Sequence, residues 1–293
     1  VVKVECLNIY EDVYDIEVED VHNFCLANDV IVHNCGPYLY TRNKELQAIL
    51  PLRGKILNVT FKSIKDAVQN SEICDIANAI GAGIGASCDA SKSRYEKIII
   101  SSDADEDGKH ITSLLASLFV NLFPDFAKEG KVWIALPPLF SWGDNPKNFG
   151  WCNDINDIPK NVKTFKRFKG LGEMQPEQLK YYCVDPETRR QIMLEYPSDI
   201  DEFNRIVGSS QGKSDLLKEL MSKSKIVDNS TSIDALELVR NNYKDYSIYV
   251  ANGGRAYCSV YDGLKSSYRR ALYGIYENKT SKIIKVAELA AHA

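Results

Sequence analysis

Three acidic side chains at alternate positions are the residues of this chain best suited to chemistry. Asp103, Asp105 and Asp107 lie in the run Ser-Ser-Asp-Ala-Asp-Glu-Asp-Gly, directly after three isoleucines at 98–100. Carboxylate oxygens are the hard ligands that Mg²⁺ prefers. Ligands of α/β sheets collect at the carboxyl ends of strands, so this turn is well placed to hold a metal. The run predicts a divalent-metal site, with a solvated acidic loop as the alternative.

Two further blocks flank the acidic run in sequence. Residues 51–59 read Pro-Leu-Arg-Gly-Lys-Ile-Leu-Asn-Val, and residues 167–174 read Arg-Phe-Lys-Gly-Leu-Gly-Glu-Met. Together with the acidic run, and in the same order, they resemble the metal-binding (Toprim) region of type IIA DNA topoisomerases. The resemblance implies Mg²⁺ as a cofactor, shared by Asp103 and Asp105. Asp107 would bind a second ion or act through water.

The same resemblance implies which residues contact DNA. Arg53, Lys55 and Asn58 match the family's contacts beside the cleavage site, and Lys169 carries the same expectation. A basic pair on either side of a glycine lets the backbone approach phosphates closely. His110 is expected to contact the phosphate, although a role at the start of a helix is equally compatible with its position. In the family, Mg²⁺ at this site assists the attack of a tyrosine hydroxyl on a DNA phosphodiester.

The first 34 residues differ in charge from the remainder. They hold eight acidic residues and one basic residue, whereas the whole chain has 40 acidic and 36 basic residues. Residues 13–24 alternate apolar and polar side chains, and a turn at 27–29 leads into Val-Ile-Val-His-Asn-Cys. This pattern predicts two strands joined by a turn. The remaining body is mildly basic, which is compatible with nucleic-acid binding.

The block that ends in His-Asn-Cys resembles the carboxyl-terminal end of an intein. The side-chain amide of Asn34 can attack its own main-chain carbonyl, and His33 can polarise that carbonyl or protonate the departing amine. Cys35 supplies a thiolate nucleophile for acyl transfer. The resemblance places Asp15 and His22 at positions that assist these steps. The alternative is an ordinary hairpin that ends in an accidental His-Asn-Cys.

The position of this junction has a consequence for the metal site. In the resembled family, an acidic motif with the catalytic glutamate lies directly before the segment that begins at Cys35. The glutamate is therefore expected on an upstream extein, together with the ATPase domain. Joining the two exteins by splicing would require an N-terminal intein half. The resemblance thus implies that ATP is a cofactor of the parent enzyme, with its site outside this chain.

The elements that must position the aspartates follow from apolar periodicity. Apolar residues over 63–80 predict one or two helices, and the glycine-rich stretch 81–85 predicts a flexible turn, with a phosphate cradle as the alternative. Residues 109–128 predict a long apolar helix and residues 131–136 a buried strand. This alternation predicts a parallel α/β sheet. The motif resemblance makes it a Toprim (Rossmann-like) fold.

The second half is less regular. Residues 143–163 are polar and predict a surface insertion, 177–184 and 187–194 predict two short helices, and the stretch around 209–232 predicts a linker. Residues 233–249 and 261–273 resemble the start of the DNA breakage-reunion region, which implies DNA contacts by Arg269 and Arg270 and a winged helix to follow. Residues 253–258 depart from the family's pattern.

These observations predict four segments and one main function. The function is that of a fragment of an ATP-dependent type IIA DNA topoisomerase interrupted by an intein, acting on double-stranded DNA in the cytoplasm as a homodimer or heterotetramer. A protein-splicing module with a passenger extein and a non-catalytic DNA-binding subunit are the alternatives. No apolar run is long enough to suggest a membrane anchor, and the eight cysteines show no zinc spacing. The segments are a β-rich intein end (1–34), a Toprim domain (35–145), an insertion with the Lys-Gly-Leu-Gly-Glu block and linker (146–228), and a mostly helical winged-helix start (229–293).

Overall fold

The computed structural model describes residues 23–25, 31–33, 36–146, 148–168, 170–220, 231–253 and 255–278. At the amino end, strands β1 (Asn23–Cys25) and β2 (Ile31–His33) pair antiparallel, with Asn23 opposite His33. The predicted pairing of two strands before the His-Asn-Cys sequence is therefore confirmed for these six residues. Four of the predicted splicing residues lie outside the described residues: Asp15, His22, Asn34 and Cys35.

A four-stranded sheet forms the centre of the body. Its order is β3-β4-β8-β9, from strands β3 (Ile98–Ile100), β4 (Val132–Ala135), β8 (Gln191–Glu195) and β9 (Ser232–Asp234). The pairs β3/β4 and β8/β9 are parallel, but β4 and β8 are antiparallel. The sheet is therefore mixed, and the prediction of a parallel sheet was wrong at this one pairing.

The antiparallel pairing has a simple geometric cause. The chain leaves β4 at its carboxyl end and returns to that same end after residues 136–190, where the backbone N–H of Leu136 donates to the carbonyl of Arg190 at 3.0 Å. A strand that starts beside the end of its neighbour must run in the opposite direction. The sequence pattern of a buried strand does not carry that information.

The described part of the chain also contains ten α-helices. The region 63–80 forms two of them, of which the second is capped by Asn70 and ends at Gly81 with φ of 72°. This agrees with the predicted helices and turn. The helices are α1 (Gly36–Thr41), α2 (Ile64–Ala67), α3 (Ser71–Ile80), α4 (Glu106–Leu122), α5 (Pro124–Lys128), α6 (Pro176–Leu179), α7 (Ile200–Gly208), α8 (Ser210–Leu220), α9 (Ala235–Asn252) and α10 (Ser266–Asn278).

Helix α4 is the central helix of the body. It begins earlier than predicted, at Glu106, because the side chain of Asp105 caps its first turn. It ends at Leu122, since Pro124 cannot continue the backbone hydrogen bonds and instead starts α5. Its buried face includes Leu118 and Phe119, which pack in the main hydrophobic core. The predicted single helix over 109–128 is therefore two helices.

Two predictions for the second half were wrong. Residues 187–194 do not form a helix, because Ile192 and Leu194 alternate with more exposed neighbours and are buried as strand β8. The predicted linker around 209–232 contains α8, whose Leu216 is buried in the main core. A π-helical turn, Lys180–Val184, extends α6 over the range where a short helix was predicted.

A smaller sheet lies beyond the end of β4. Strands β5 (Phe140–Trp142), β6 (Gly150–Cys152) and β7 (Lys166–Arg167) pair antiparallel in the order β6-β5-β7. Part of the predicted surface insertion is thus a strand. Its Trp151 packs against a second core, which contains Phe168, Met174, Leu179, Tyr182, Cys183 and Val184.

The segment predicted as a winged-helix start begins within the main body. Strand β9 joins the central sheet, and Leu238, Val239 and Tyr243 of α9 belong to the main core. The winged helix itself stays a prediction. None of the helices in the described ranges combines the length and apolar character required to cross a bilayer.

Candidate metal and DNA-contacting site

The structure brings all three sequence blocks together at the carboxyl end of β3. The backbone N–H of Leu171 donates to Asp103 Oδ1 at 2.8 Å, and Lys55 Nζ donates to Asp107 Oδ1 at 2.8 Å. Leu171 belongs to the downstream block and Lys55 to the upstream one. Segments more than 50 residues apart in sequence therefore meet at the acidic turn.

Asp105 fixes the geometry of that turn. Its Oδ1 accepts a hydrogen bond from the backbone N–H of Gly108 at 2.8 Å, which makes it the N-cap of α4. Such a cap satisfies one of the free amides at the start of the helix, and the helix dipole favours negative charge there. The turn is tight, since a Cβ at Gly108 would lie 2.0 Å from the main-chain oxygen of Asp103.

Asp107 lies in a different environment from the other two aspartates. Both of its oxygens are bound by cations, Oδ1 by Lys55 Nζ and Oδ2 by Arg255 Nη1, each at 2.8 Å. Burial raises the pKa of Asp107, but the hydrogen bonds from Lys55 and Arg255 outweigh it and hold the pKa below its usual range. The carboxylate of Asp107 is thus neutralised by this chain's own side chains.

The residues present fit a magnesium ion held partly by water. Asp103 and Asp105 supply hard oxygen ligands, and each uses Oδ1 to accept a hydrogen bond from a backbone amide. Among the described residues, no group of three His, Cys, Asp or Glu side chains converges as a metal cluster. Mg²⁺ commonly keeps several waters and binds one or two carboxylates. Asp103 and Asp105 are therefore the pair that would hold it.

The side chain of His110, which belongs to α4, packs against α9. Its ring stacks on Tyr246 with centroids 4.2 Å apart and meets the edge of Tyr243 at 5.3 Å. Burial, followed by the charges of Lys55 and Lys213, lowers the pKa of His110 to about 4. The ring is thus neutral at physiological pH. The alternative of a capping role was wrong, because Asp105 caps the helix.

Two of the predicted DNA contacts from the upstream block, Arg53 and Asn58, lie in different surroundings. Arg53 is exposed, and its backbone N–H donates to Glu72 Oε1 at 2.8 Å. The side-chain amide of Asn58 donates to the carbonyl of Val207 at 2.9 Å and accepts from the backbone N–H of Thr60 at 3.1 Å. The Asn58 amide therefore holds its own loop against α7.

The two predicted DNA contacts on α10 lie elsewhere. Arg269 on α10 makes a two-pronged ion pair with Asp262, at 2.9 and 3.0 Å, and Arg270 is exposed on the same helix. Among the described residues, the ion pair of Arg269 with Asp262 does not connect α10 to the acidic turn. Lys169 lies outside the described residues.

Sequence reasoning missed the residues that surround Asp107. Arg255 follows α9, and Tyr246 and Tyr249 lie on one face of that helix. The signal for them is the spacing of three between the tyrosines at 243, 246 and 249. Tyr38 was missed too. Its hydroxyl hydrogen-bonds to Ser101, two residues before Asp103, and burial is the largest cause that raises its pKa well above the usual value.

Two family models match this chain. The Toprim domain model covers residues 23–137, and so begins before the predicted domain start at residue 35. The model described as the DNA gyrase B subunit, carboxyl terminus, covers residues 160–225.

Several curated proteins are similar to the chain. The DNA gyrase B subunit of Synechocystis sp. is 40% identical over 214 residues, which are 69% of this chain and 20% of that protein. The DNA gyrase B subunit of Thermotoga maritima is 42% identical over 177 residues, 58% of this chain and 28% of that protein. The DNA topoisomerase 4 B subunit of Haemophilus influenzae is 42% identical over 175 residues, 57% of this chain and 28% of that protein. The chain thus spans between a fifth and just over a quarter of these relatives.

The fold is also found in a solved structure. The Plasmodium falciparum topoisomerase II DNA-binding, cleavage and re-ligation domain matches with a TM-score of 0.60 and 22% identity, over 83% of this chain and 34% of that one. At this identity the likeness bears on the fold alone. Combined with the two family models and the relatives, it supports a Toprim α/β fold, and the chain is similar in sequence to the B subunits of DNA gyrase and DNA topoisomerase 4.

Proposed function

We propose that this chain forms the metal-binding part of the DNA breakage and rejoining centre of an ATP-dependent type IIA DNA topoisomerase. The observation that carries the proposal is the meeting of three blocks at one strand end, through the bonds Leu171 to Asp103 and Lys55 to Asp107. A solvated acidic loop is not expected to be contacted by two distant segments, one basic and one glycine-rich.

Each group of residues has a distinct part in this proposal. Asp103 and Asp105 would hold Mg²⁺, which would supply stabilisation of the negative charge that develops on the phosphodiester oxygens. Arg53, Lys55 and Lys169 bind DNA phosphates and fix the position of the duplex. The neutral ring of His110 supports this region through its contacts with α9.

The activity of the whole enzyme requires parts beyond the site described above. The ATPase domain, the catalytic glutamate and the tyrosine nucleophile belong to other portions of the parent enzyme, which we infer to be a cytoplasmic homodimer or heterotetramer that passes one duplex through another. Supporting this inference, the chain matches only 20% of the length of the Synechocystis gyrase B subunit.

We also propose that an intein ends at Asn34. In support, β1 pairs with β2, which ends at His33 of the His-Asn-Cys sequence, and residues 1–34 hold eight acidic residues against one basic residue. Asn34 would cyclise with the help of His33, while Cys35 accepts and transfers the upstream polypeptide, assisted by Asp15 and His22. Splicing would join the upstream glutamate to the segment that carries the aspartates.

Mass spectrometry of the tryptic peptides of the parent protein tests the splicing proposal. Residues 4–41 contain no Lys or Arg, so unspliced protein yields one long peptide that ends at Arg42 and retains His33-Asn34-Cys35. Splicing replaces it with a peptide in which foreign residues precede Cys35. Detection of the long peptide alone would contradict splicing. The upstream glutamate would then never be joined to this segment, and the likeness to topoisomerases would reflect ancestry and not activity.

Titration of Mg²⁺ or Mn²⁺ into the chain tests the metal-binding proposal. We expect Asp103→Asn and Asp105→Asn each to lower the affinity at least about tenfold, roughly 1.4 kcal/mol, because each removes one of two charged ligands. Asp245→Asn is the matched control, because it also replaces an aspartate by asparagine. Asp245 lies on α9 and pairs with Lys109 of α4, so we expect this variant to leave the metal affinity unchanged. Mg²⁺ and Mn²⁺ affinities that are unchanged in both Asp103→Asn and Asp105→Asn would instead favour a non-catalytic DNA-binding subunit.

A further inference from the structure

The third aspartate of the acidic turn joins two cations that are 200 residues apart in sequence. Lys55 comes from the loop before α2, and Arg255 follows α9, yet both reach the carboxylate of Asp107 at 2.8 Å. Each cation binds a different oxygen of that carboxylate. Two charge-assisted hydrogen bonds of this length fix both side chains more firmly than neutral bonds would.

Each cation is held from a second side by a tyrosine of α9. Lys55 Nζ lies 3.0 Å from the hydroxyl of Tyr246 and 4.5 Å from its ring centroid. The guanidinium of Arg255 lies 4.7 Å from the ring centroid of Tyr249. Cation–π contacts of this kind are attractive within about 6 Å. The two cations are therefore ordered before any ligand arrives.

The cluster is accessible and carries a surplus of positive charge. The side chains of Lys55 and Arg255 keep 38% and 49% of their surface exposed, and two cations face one carboxylate. A further anion complements such a pair, whereas a divalent cation would meet two positive charges and a carboxylate with both oxygens already bound. The ordering removes part of the entropic cost of binding that anion.

We propose that Asp107 is a positioning residue, not a metal ligand, and that it sets Lys55 and Arg255 side by side as a two-cation site for one backbone phosphate of duplex DNA. The choice of DNA as the source of the phosphate rests on the proposed function. In this arrangement the acidic turn binds metal at Asp103 and Asp105 and orients the DNA backbone through Asp107. Arg255 thereby becomes a DNA contact that its sequence position did not reveal.

The sign of a single-residue effect on DNA affinity tests this proposal. The assay is fluorescence anisotropy of a labelled duplex with the full chain in the presence of EDTA, so that no metal contributes. Asp107→Asn and Asp245→Asn each remove one negative charge from the α4/α9 region, and the Lys109–Asp245 pair has the same 2.8 Å length. If net charge alone matters, both variants bind DNA more tightly.

The positioning role predicts opposite signs. We expect Asp107→Asn to weaken DNA binding about three- to tenfold, because Lys55 and Arg255 lose their common anchor, and Asp245→Asn to leave binding unchanged or slightly tighter. Asp107→Glu should retain most of the affinity. Arg255→Gln, which leaves the turn intact, should weaken binding and reduce the slope of log K against log salt by about 0.9.

Three results would overturn the proposal. Asp107→Asn could tighten DNA binding as the Asp245 control does, Arg255→Gln could leave the salt slope unchanged, or Asp107→Asn could lower Mn²⁺ affinity as much as Asp105→Asn. Absence of DNA binding by the unmodified chain would overturn the proposed function as well, so the two failures are distinguishable. Thermal unfolding of each variant identifies any loss that comes from misfolding.

Discussion

Helices α9 and α10 are both rich in tyrosine, yet the structure places them in opposite environments. On α9, Tyr243 is 3% exposed and lies in the main core with Val239. On α10, Tyr276 is 73% exposed and Leu272 is also exposed. Both helices belong to the segment that resembles the start of the breakage-reunion region. Their tyrosine content therefore does not decide which of them is buried.

The difference comes from the partner that each helix finds. Helix α9 lies along α4, where Asn242 donates to the carbonyl of Lys109 and to the hydroxyl of Ser113, both at 3.1 Å. On helix α10, Arg269 pairs with Asp262, which lies just before the helix, and the hydroxyl of Ser266 donates to the carbonyl of Gly253 at 3.1 Å. Only α9 thus becomes part of the framework of the acidic turn, while α10 presents an apolar face outward.

The largest expected effect comes from truncating matched tyrosines in the two helices. Tyr243→Ala should lower the free energy of unfolding by about 3 to 5 kcal/mol, because it leaves a large cavity between α4 and α9. Tyr276→Ala should change it by less than about 0.5 kcal/mol. Denaturant unfolding measures both. Similar losses in the two variants would show that α10 is packed as firmly as α9, and would refute the contrast.

The glycines near the start of α4 and α10 offer a second, smaller contrast. Gly108→Ala should destabilise the chain by about 1 to 3 kcal/mol, since its Cβ would lie 2.0 Å from the oxygen of Asp103. Gly263 has open space around it but a φ of 67°. Gly263→Ala should therefore cost only about 1 kcal/mol of backbone strain.

The two glycine variants also differ in what they do to metal binding. Gly108→Ala should weaken Mn²⁺ binding because it displaces Asp103, whereas Gly263→Ala should leave it unchanged. Calorimetric titration together with thermal unfolding measures both quantities. Normal stability and normal metal affinity in the Gly108→Ala variant would mean that the turn is looser than described.

The smallest expected effect is a pH dependence from the α4/α9 contact. The pKa of His110 is about 4 in the folded chain and near 6.5 when unfolded. Above pH 6.5 the ring is neutral in both states, so it contributes no slope. Between about pH 6.5 and 4 the unfolded chain binds a proton that the folded chain does not, so stability falls as pH falls, by roughly 1 to 2 kcal/mol for this partly exposed ring.

Replacing the histidine isolates this contribution. In the His110→Phe variant the loss of stability between about pH 6.5 and 4 should shrink relative to the unmodified chain, because phenylalanine keeps the ring contacts with Tyr243 and Tyr246 but cannot bind a proton. Helix α10 contains no histidine, so changes there should not affect the slope. An unchanged slope in the His110→Phe variant would assign the pH dependence to other groups.

Local patterns predicted the elements that depend on near neighbours. The helices of 63–80, the strand before Asp103 and the buried middle of α4 follow from apolar spacing. The conformation of residues 187–194 could not be predicted in this way, because a short apolar run is compatible both with a five-residue strand and with a turn of helix. Their conformation depends on β4 and β9, which lie on either side of β8.

The sequence alone predicted the order of the three blocks, the acidic turn and the proposed metal-binding pair Asp103 and Asp105. Such motifs depend only on residue types and short spacings. The antiparallel pairing of β4 with β8, the burial of α9 and the capture of Asp107 by Lys55 and Arg255 were decided by tertiary structure. These features join residues that are between about 50 and 150 positions apart. Contacts of that kind arise from packing the whole chain, and no local pattern encodes them.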